Sequence, residues 1–225
     1  ISIIPAILGL LMFFFIKEKR THADAKKREP FWQNIKKLDG QLKLYLFVAF
    51  LFTLGNSSNA FLLLRAKSVG FDDNNVILLY LIFNLSASIL SIPLGRLSDR
   101  VGRKKLLVAG YIVFSAVYLG FAFASSQVTI IIAFVLYGFY SAMITGVERA
   151  FIAEISPVDL KGSMLGLHST IVGIALLPSS VIAGLLWVRF GASSPFLFGS
   201  VMSLLAAFIL LLFMKNGTIQ VQKAV

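Results

Sequence analysis

The chain has 225 residues, of which 58% are hydrophobic and only 14% charged, with 21 Phe and a mean hydropathy of +0.87. Ordinary soluble domains are about 45–50% apolar and about 25% charged, so this composition excludes a soluble fold and implies that lipid accepts the apolar surface. The net charge of +11 does not point to nucleic acid, because the basic residues lie between apolar runs, and the lack of cysteine excludes a disulfide framework, a thiolate metal site and a cysteine nucleophile.

Seven apolar segments are expected as helices, at about 1–16, 43–64, 74–94, 105–124, 128–152, 163–187 and 195–214. Apart from the first, each is near the about 20 residues that cross a bilayer, and only helices satisfy the backbone of such runs in lipid. Strands would be shorter and alternating, which argues against a barrel. Residues 1–16 are followed by Lys17, Lys19 and Arg20, whereas a signal peptide carries its charges in front. A truncated membrane helix is the expectation there. A basic linker, 17–42, separates it from a block of six helices, 43–214, and a short tail, 215–225, follows. The short loops within the block favour antiparallel neighbours.

The charges assign sides. The linker, Arg96, Arg100, Arg103, Lys104, Lys105, Arg149, Lys161 and the tail fall on one side if every segment spans; Arg65, Lys67 and Arg189 fall on the other. The first side is therefore expected in the cytoplasm. Arg65 and Lys67 are expected to snorkel, with Asp72 and Asp73 as candidate partners.

Residues 95–105 read Gly95-Arg96-Leu97-Ser98-Asp99-Arg100-Val101-Gly102-Arg103-Lys104-Lys105. Gly95 and Gly102 suit a tight reversal, Pro93 suits the end or kink of the incoming helix, and Arg103 offers a planar fork to a carboxylate. A basic loop that only fixed topology would explain the cations but not Asp99 or the glycines. The stretch resembles the cytoplasmic signature Gly-x-Leu-x-Asp-Arg-x-Gly-Arg-Arg/Lys of the major facilitator superfamily. It lies between the second and third helices of the six, where that family carries it. A second match follows: Glu148-Arg149 near the end of the fourth helix, then Pro157 with Lys161-Gly162 entering the fifth.

The resemblance implies an all-α, polytopic membrane protein: a six-helix bundle of inverted three-helix repeats preceded by one helix, the last of a missing N-terminal six-helix bundle. It implies a secondary transporter moving a small solute by alternating access at the plasma membrane. It implies no enzyme activity. The gating residues it marks are Gly95, Asp99, Arg100, Gly102, Arg103, Lys104, Glu148 and Arg149. Arg103 is expected beside Glu148, and Asp99 facing the other bundle. The partners implied are the solute, the lipid bilayer, the N-terminal bundle and, as a further candidate, a coupling proton. No cofactor, metal or nucleic acid is implied.

All ten acids are read as lying in loops or at helix ends, so no mid-helix carboxylate is expected. The absence of fixed mid-membrane charge favours efflux of a hydrophobic or uncharged compound over uptake of a sugar or metabolite. Substrate-cavity candidates are Asn56, Asn59, Asn84, Tyr137, Tyr140, Ser141 and His168. Asn56 and Asn59 are three apart, so a continuous helix would put them on one face. The first and fourth helices of a six-helix half line the cavity in the resembled family. For each of these residues the alternative is interhelical hydrogen bonding or packing. Pro178-Ser179-Ser180 is expected to break the fifth helix of the six, and Gly166, Gly173 and Gly184 to thin its surface. A membrane-embedded enzyme would need clustered catalytic groups, and none appears; a seven-helix receptor would leave the Gly95–Lys105 motif unexplained.

Overall fold

The computed structural model describes residues 39–214, without the side chain of Asp159. The first apolar segment, the linker up to residue 38 and the tail lie outside the described residues. Seven α-helices are present: α1 Gly40–Gly55, α2 Ala60–Ser68, α3 Asp73–Val101, α4 Arg103–Phe123, α5 Gln127–Ile155, α6 Lys161–Phe190 and α7 Ser194–Phe213. A 3-10 turn, Val158–Leu160, precedes α6. Taking α1 and α2 together, these are six spans long and apolar enough to cross a membrane, and no strand occurs among the described residues.

The first span is broken. Residues 55–59 read Gly-Asn-Ser-Ser-Asn, small and amide residues that hydrogen-bond locally and favour turns over helix interiors. The Ser58 hydroxyl accepts from the Ala60 amide where α2 starts. Asn56 and Asn59 therefore flank a gap instead of sharing a helix face.

Elsewhere the helices run further than the apolar segments. Pro93 lies inside α3, which continues to Val101, and Pro178 lies inside an unbroken α6. Residues 95–101 are thus the last turns of α3, and the reversal into α4 is made by Gly102 alone, at φ +100°, where a side chain would be strained. Gly95 meets no neighbour within 4 Å of the place a Cβ would take. The same holds for Gly166 and Gly173, so the thin surface of α6 is not packed against another described helix there. Asp72 caps α3 by accepting from the Asn75 amide at 3.0 Å, and Ser126 caps α5 through Thr129 N.

The main packing partners are α3 with α5, α1 with α6, α4 with α5, α1 with α7, and α4 with α7. The pattern maps onto itself when each span is shifted by three: α3 on α5 becomes α6 on α1, α4 on α5 becomes α7 on α1, and α4 on α7 is unchanged. Successive spans joined by such short loops are antiparallel, so a shift of three spans reverses direction. Close approach of α1 to α7 rests on Gly55 and Gly199: a Cβ on Gly199 would stand 2.4 Å from the Gly55 carbonyl oxygen. Buried rings of Phe52, Tyr111, Phe114, Tyr118, Phe121, Phe134 and Phe196 fill the interior between α1, α4, α5 and α7. The largest exposed apolar faces belong to α3 and α6, among them Ile77, Leu81 and Ile89 on α3.

Candidate functional site

Three tyrosines from α4 and α5 close on the break. The Tyr137 hydroxyl donates to Asn59 Oδ1 at 3.0 Å, and the Tyr118 hydroxyl donates to Asn56 Oδ1 at 3.4 Å. Asn56 Nδ2 donates to the Tyr140 hydroxyl at 3.5 Å. Phe114 supports the group, its ring centroid 3.9 Å from that of Tyr118 and 4.8 Å from that of Tyr140. Both asparagines are half-buried and the three tyrosines are buried. An amide in an apolar interior needs partners, and here the side chains that satisfy the asparagines also hold the two halves of the first span.

The structure thus joins Asn56, Asn59, Tyr137 and Tyr140 by hydrogen bonds, and the hydrogen bonds seen at Asn84 and Ser141 run along their own helices. Asn84 is exposed and donates to the Tyr80 carbonyl of its own helix at 2.7 Å. Ser141 is half-buried, and its carbonyl accepts from Thr145. His168 is buried seven residues from the start of α6. Tyr118 was missed by sequence reasoning, because it stands in an apolar run and only the fold turns its hydroxyl onto Asn56.

The loop motif forms a second centre. Arg103 donates to Asp99 Oδ1 at 3.2 Å, to Glu154 Oε2 at 3.0 Å and to the Ala150 carbonyl at 3.1 Å. Its carboxylate partner on α5 is Glu154 and not Glu148, because α5 continues to Ile155. Glu154 sits near the helix end, and Glu148 lies six residues, about 9 Å, deeper. The reading of Glu148 as a helix-end acid is corrected in the same way: it stands seven residues inside α5, half-buried, and accepts from the Tyr111 hydroxyl at 3.2 Å. Lys104 donates to the carbonyls of Leu211 and Met214, capping the end of α7. Arg96, Arg100 and Arg149 are exposed. Asp99 is largely exposed except for Arg103.

At the opposite end Arg65 does not simply reach for water. It donates to the carbonyls of Phe121 at 2.8 Å, Ala122 at 3.1 Å and Ala124 at 2.9 Å, satisfying orphan acceptors where α4 ends. Lys67 pairs with Asp73. Among the described residues, no group of three or more His, Asp or Glu is placed to hold a metal ion.

A family model for the Major Facilitator Superfamily matches residues 45–224. The chain belongs to the major facilitator superfamily. An uncharacterized MFS-type transporter of Methanocaldococcus jannaschii is 38% identical over 220 residues, 94% of this chain and 54% of that protein. A multi-drug resistance efflux pump PmrA homolog of Lactococcus lactis is 33% identical over 184 residues, covering 78% of this chain and 45% of that one. The quinolone resistance protein NorA of Staphylococcus aureus is 28% identical over 140 residues, 62% of this chain and 36% of its own length. The chain spans about half the length of the first of these relatives and less of the others.

Proposed function

We propose that the protein is a secondary carrier that moves a small solute across the membrane by alternating access, without making or breaking covalent bonds. The observation that carries this reading is the broken first span, whose two asparagines are held by tyrosines from the span related to it by the three-helix shift. Irregular backbone at membrane depth is tolerated where it lines a cavity, and discontinuous helices build solute sites in carriers assembled from inverted repeats. A second six-helix bundle would cover the exposed faces of α3 and α6 and complete the cavity.

Efflux of an uncharged or hydrophobic compound is favoured over uptake of a sugar or metabolite. The surroundings of the break are aromatic and amide, with no fixed charge among the residues that meet there. Two relatives named for drug resistance support the same direction. The end carrying Arg96, Arg100, Arg103, Lys104 and Lys105 faces the cytoplasm of a plasma-membrane protein, by the excess of positive charge there. Gradient-driven coupling to a proton is part of the proposal.

The test is flux into proteoliposomes bearing the protein expressed from its complete reading frame. A panel of aromatic drugs, sugars and amino acids is measured with and without a proton gradient. Concentrative movement of aromatic compounds that weakens in Asn59→Ala supports the reading. Concentrative uptake of sugars alone would reverse the direction and class, and no flux of any compound would sink it.

A further inference from the structure

A cavity of about 310 Å³ opens between α5 and α6, lined by Arg149, Leu165, Gly166, His168 and Ser169. Arg149 stands six residues before the end of α5, and the other four lie four to eight residues from the start of α6. At about 1.5 Å per residue the lining is about 6–12 Å in from the end of the bundle where these two helices are joined. Gly166 leaves one wall open, with nothing within 4 Å of the place a Cβ would take. None of the asparagines and tyrosines that meet at the break lines this cavity.

The two strongest donors of this lining lack acceptors. Arg149 is exposed and, among the described residues, makes no ion pair and no side-chain hydrogen bond. Glu148 lies within electrostatic range of it, but that carboxylate does not line the cavity and already accepts from Tyr111 on α4. Arg149 is within range of His168 as well. His168 is only 7% exposed, and its Nε2 is enclosed without a partner. The ring borders the cavity, and Nδ1 is the nitrogen left to reach it. Tyr45 stacks on the imidazole with centroids 6.1 Å apart and 13° between the planes, which fixes the ring's orientation. Ser169 is already engaged, its hydroxyl donating to the Leu165 carbonyl at 3.0 Å. A buried imidazole without a partner, beside an unpaired guanidinium, costs free energy unless an acceptor serves both.

We propose that this cavity binds the phosphate group of an anionic ligand, at a site separate from the break and independent of what the carrier moves. The phosphate oxygens would accept from the guanidinium fork of Arg149 and from the Nδ1–H of His168. With its proton on Nδ1, His168 keeps Nε2 as a bare lone pair, so no N–H is left buried without an acceptor. The level of the cavity points to phosphate. α6 has 30 residues, a length of about 45 Å, against a hydrocarbon core of about 30 Å. About 7 Å of the helix therefore lies in the headgroup layer at each end, and the lining straddles the boundary where the phosphates of the nearer leaflet sit. Arg96, Arg100 and Lys161, exposed at the same end, add a positive potential that draws anions there. The phosphate is carried either by a lipid of that leaflet or by an ester dissolved in the adjacent water, and the two are separated by experiment.

The test is calorimetric titration of the protein from its complete reading frame, in a neutral detergent, with two probes, dihexanoyl phosphatidic acid and glycerol phosphate. At least one should bind, and Arg149→Gln should weaken it by about 10–100-fold through the loss of charge-assisted hydrogen bonds. Arg149 is exposed, so its replacement leaves the fold standing. His168→Phe keeps an aromatic ring against Tyr45 and removes the N–H; it should weaken binding by about tenfold. Arg96→Gln removes an exposed cation at the same end but outside the cavity, and should leave affinity within about twofold. Tighter binding of the lipid than of glycerol phosphate supports the site with a lipid as its source; equal affinity supports it with a dissolved ester. Absence of binding by both probes, unchanged affinity in either cavity variant, or an equal loss in Arg96→Gln would overturn the proposal. Calorimetry needs no flux, so the site can stand while the carrier reading fails, and the reverse.

Discussion

The first span and α5 occupy matching places in the two three-helix repeats, and they have solved the same position differently. The first span is interrupted at residues 56–59, while α5 runs unbroken for 29 residues. The local sequence explains this. Gly-Asn-Ser-Ser-Asn offers side chains that compete for backbone partners, whereas Tyr140-Ser141-Ala142-Met143-Ile144 does not concentrate such residues. The unbroken member then supplies Tyr137 and Tyr140 to the broken one. The pair teaches that the irregular span depends on the regular one. α5 is the rigid element on which the break is mounted.

Arg65 gives the largest expected effect. It fastens α2 to the end of α4 through three carbonyls, so Arg65→Ala should loosen α2 while α5 stays intact. Hydrogen bonds from a charged donor are worth about 1.5–3 kcal/mol to stability. Hydrogen exchange should rise across residues 60–68 and not across 127–155. Equal protection in both would contradict the idea that α2 is held from outside its own span.

Next comes Gly199→Ala. The added Cβ would meet the Gly55 carbonyl oxygen at 2.4 Å and the Tyr118 ring at 2.6 Å, backbone on one side and a buried ring on the other. Overpacking of this kind costs about 1–3 kcal/mol. Thermal unfolding in detergent should show the loss, and the Tyr118 contact to Asn56 should weaken with it.

A smaller effect is expected from the bond between the two spans. A double-mutant cycle on unfolding with Asn59→Ala and Tyr137→Phe should give a coupling of about 0.6–1.7 kcal/mol, as for polar pairs between membrane helices. Strict additivity would mean that α5 does not brace the break. The smallest effect belongs to Lys67–Asp73. Its side chains are 48% and 81% exposed, so Lys67→Ala should change unfolding by less than about 1 kcal/mol, and less still at high salt.

Helix number, order and the Gly102 reversal could be read from the chain, because apolar length and a positive-φ glycine are local signals. The six segments from 43 onward all reappear as spans. The break could have been read too. Residues 55–59 carried the breaker signal, but the apolar residues on both sides hid it inside a window of membrane length. Helix ends were harder to place. Amphipathic turns such as residues 149–155 extend α5 beyond its apolar stretch, and that shift moved Glu148 inward and gave Arg103 to Glu154. Tyr118, Arg65 and Lys104 were not legible at all, since each acts on a segment more than 50 residues away. Only the packing of α4 against α5 and α7 brings those partners together.

The central claim is that the braced break forms part of a solute site. The direct measurement is equilibrium binding, to the purified protein from its complete reading frame, of a compound that it carries, with Asn59→Ala and Lys67→Ala compared. Lys67 is the control, for it pairs with Asp73 between the end of α2 and the start of α3. The account predicts that Asn59→Ala weakens binding by roughly 5–30-fold, the loss of one or two hydrogen bonds at about 1–2 kcal/mol in all. Lys67→Ala should leave it within about twofold. Equal affinity in the unaltered protein and Asn59→Ala would contradict the claim.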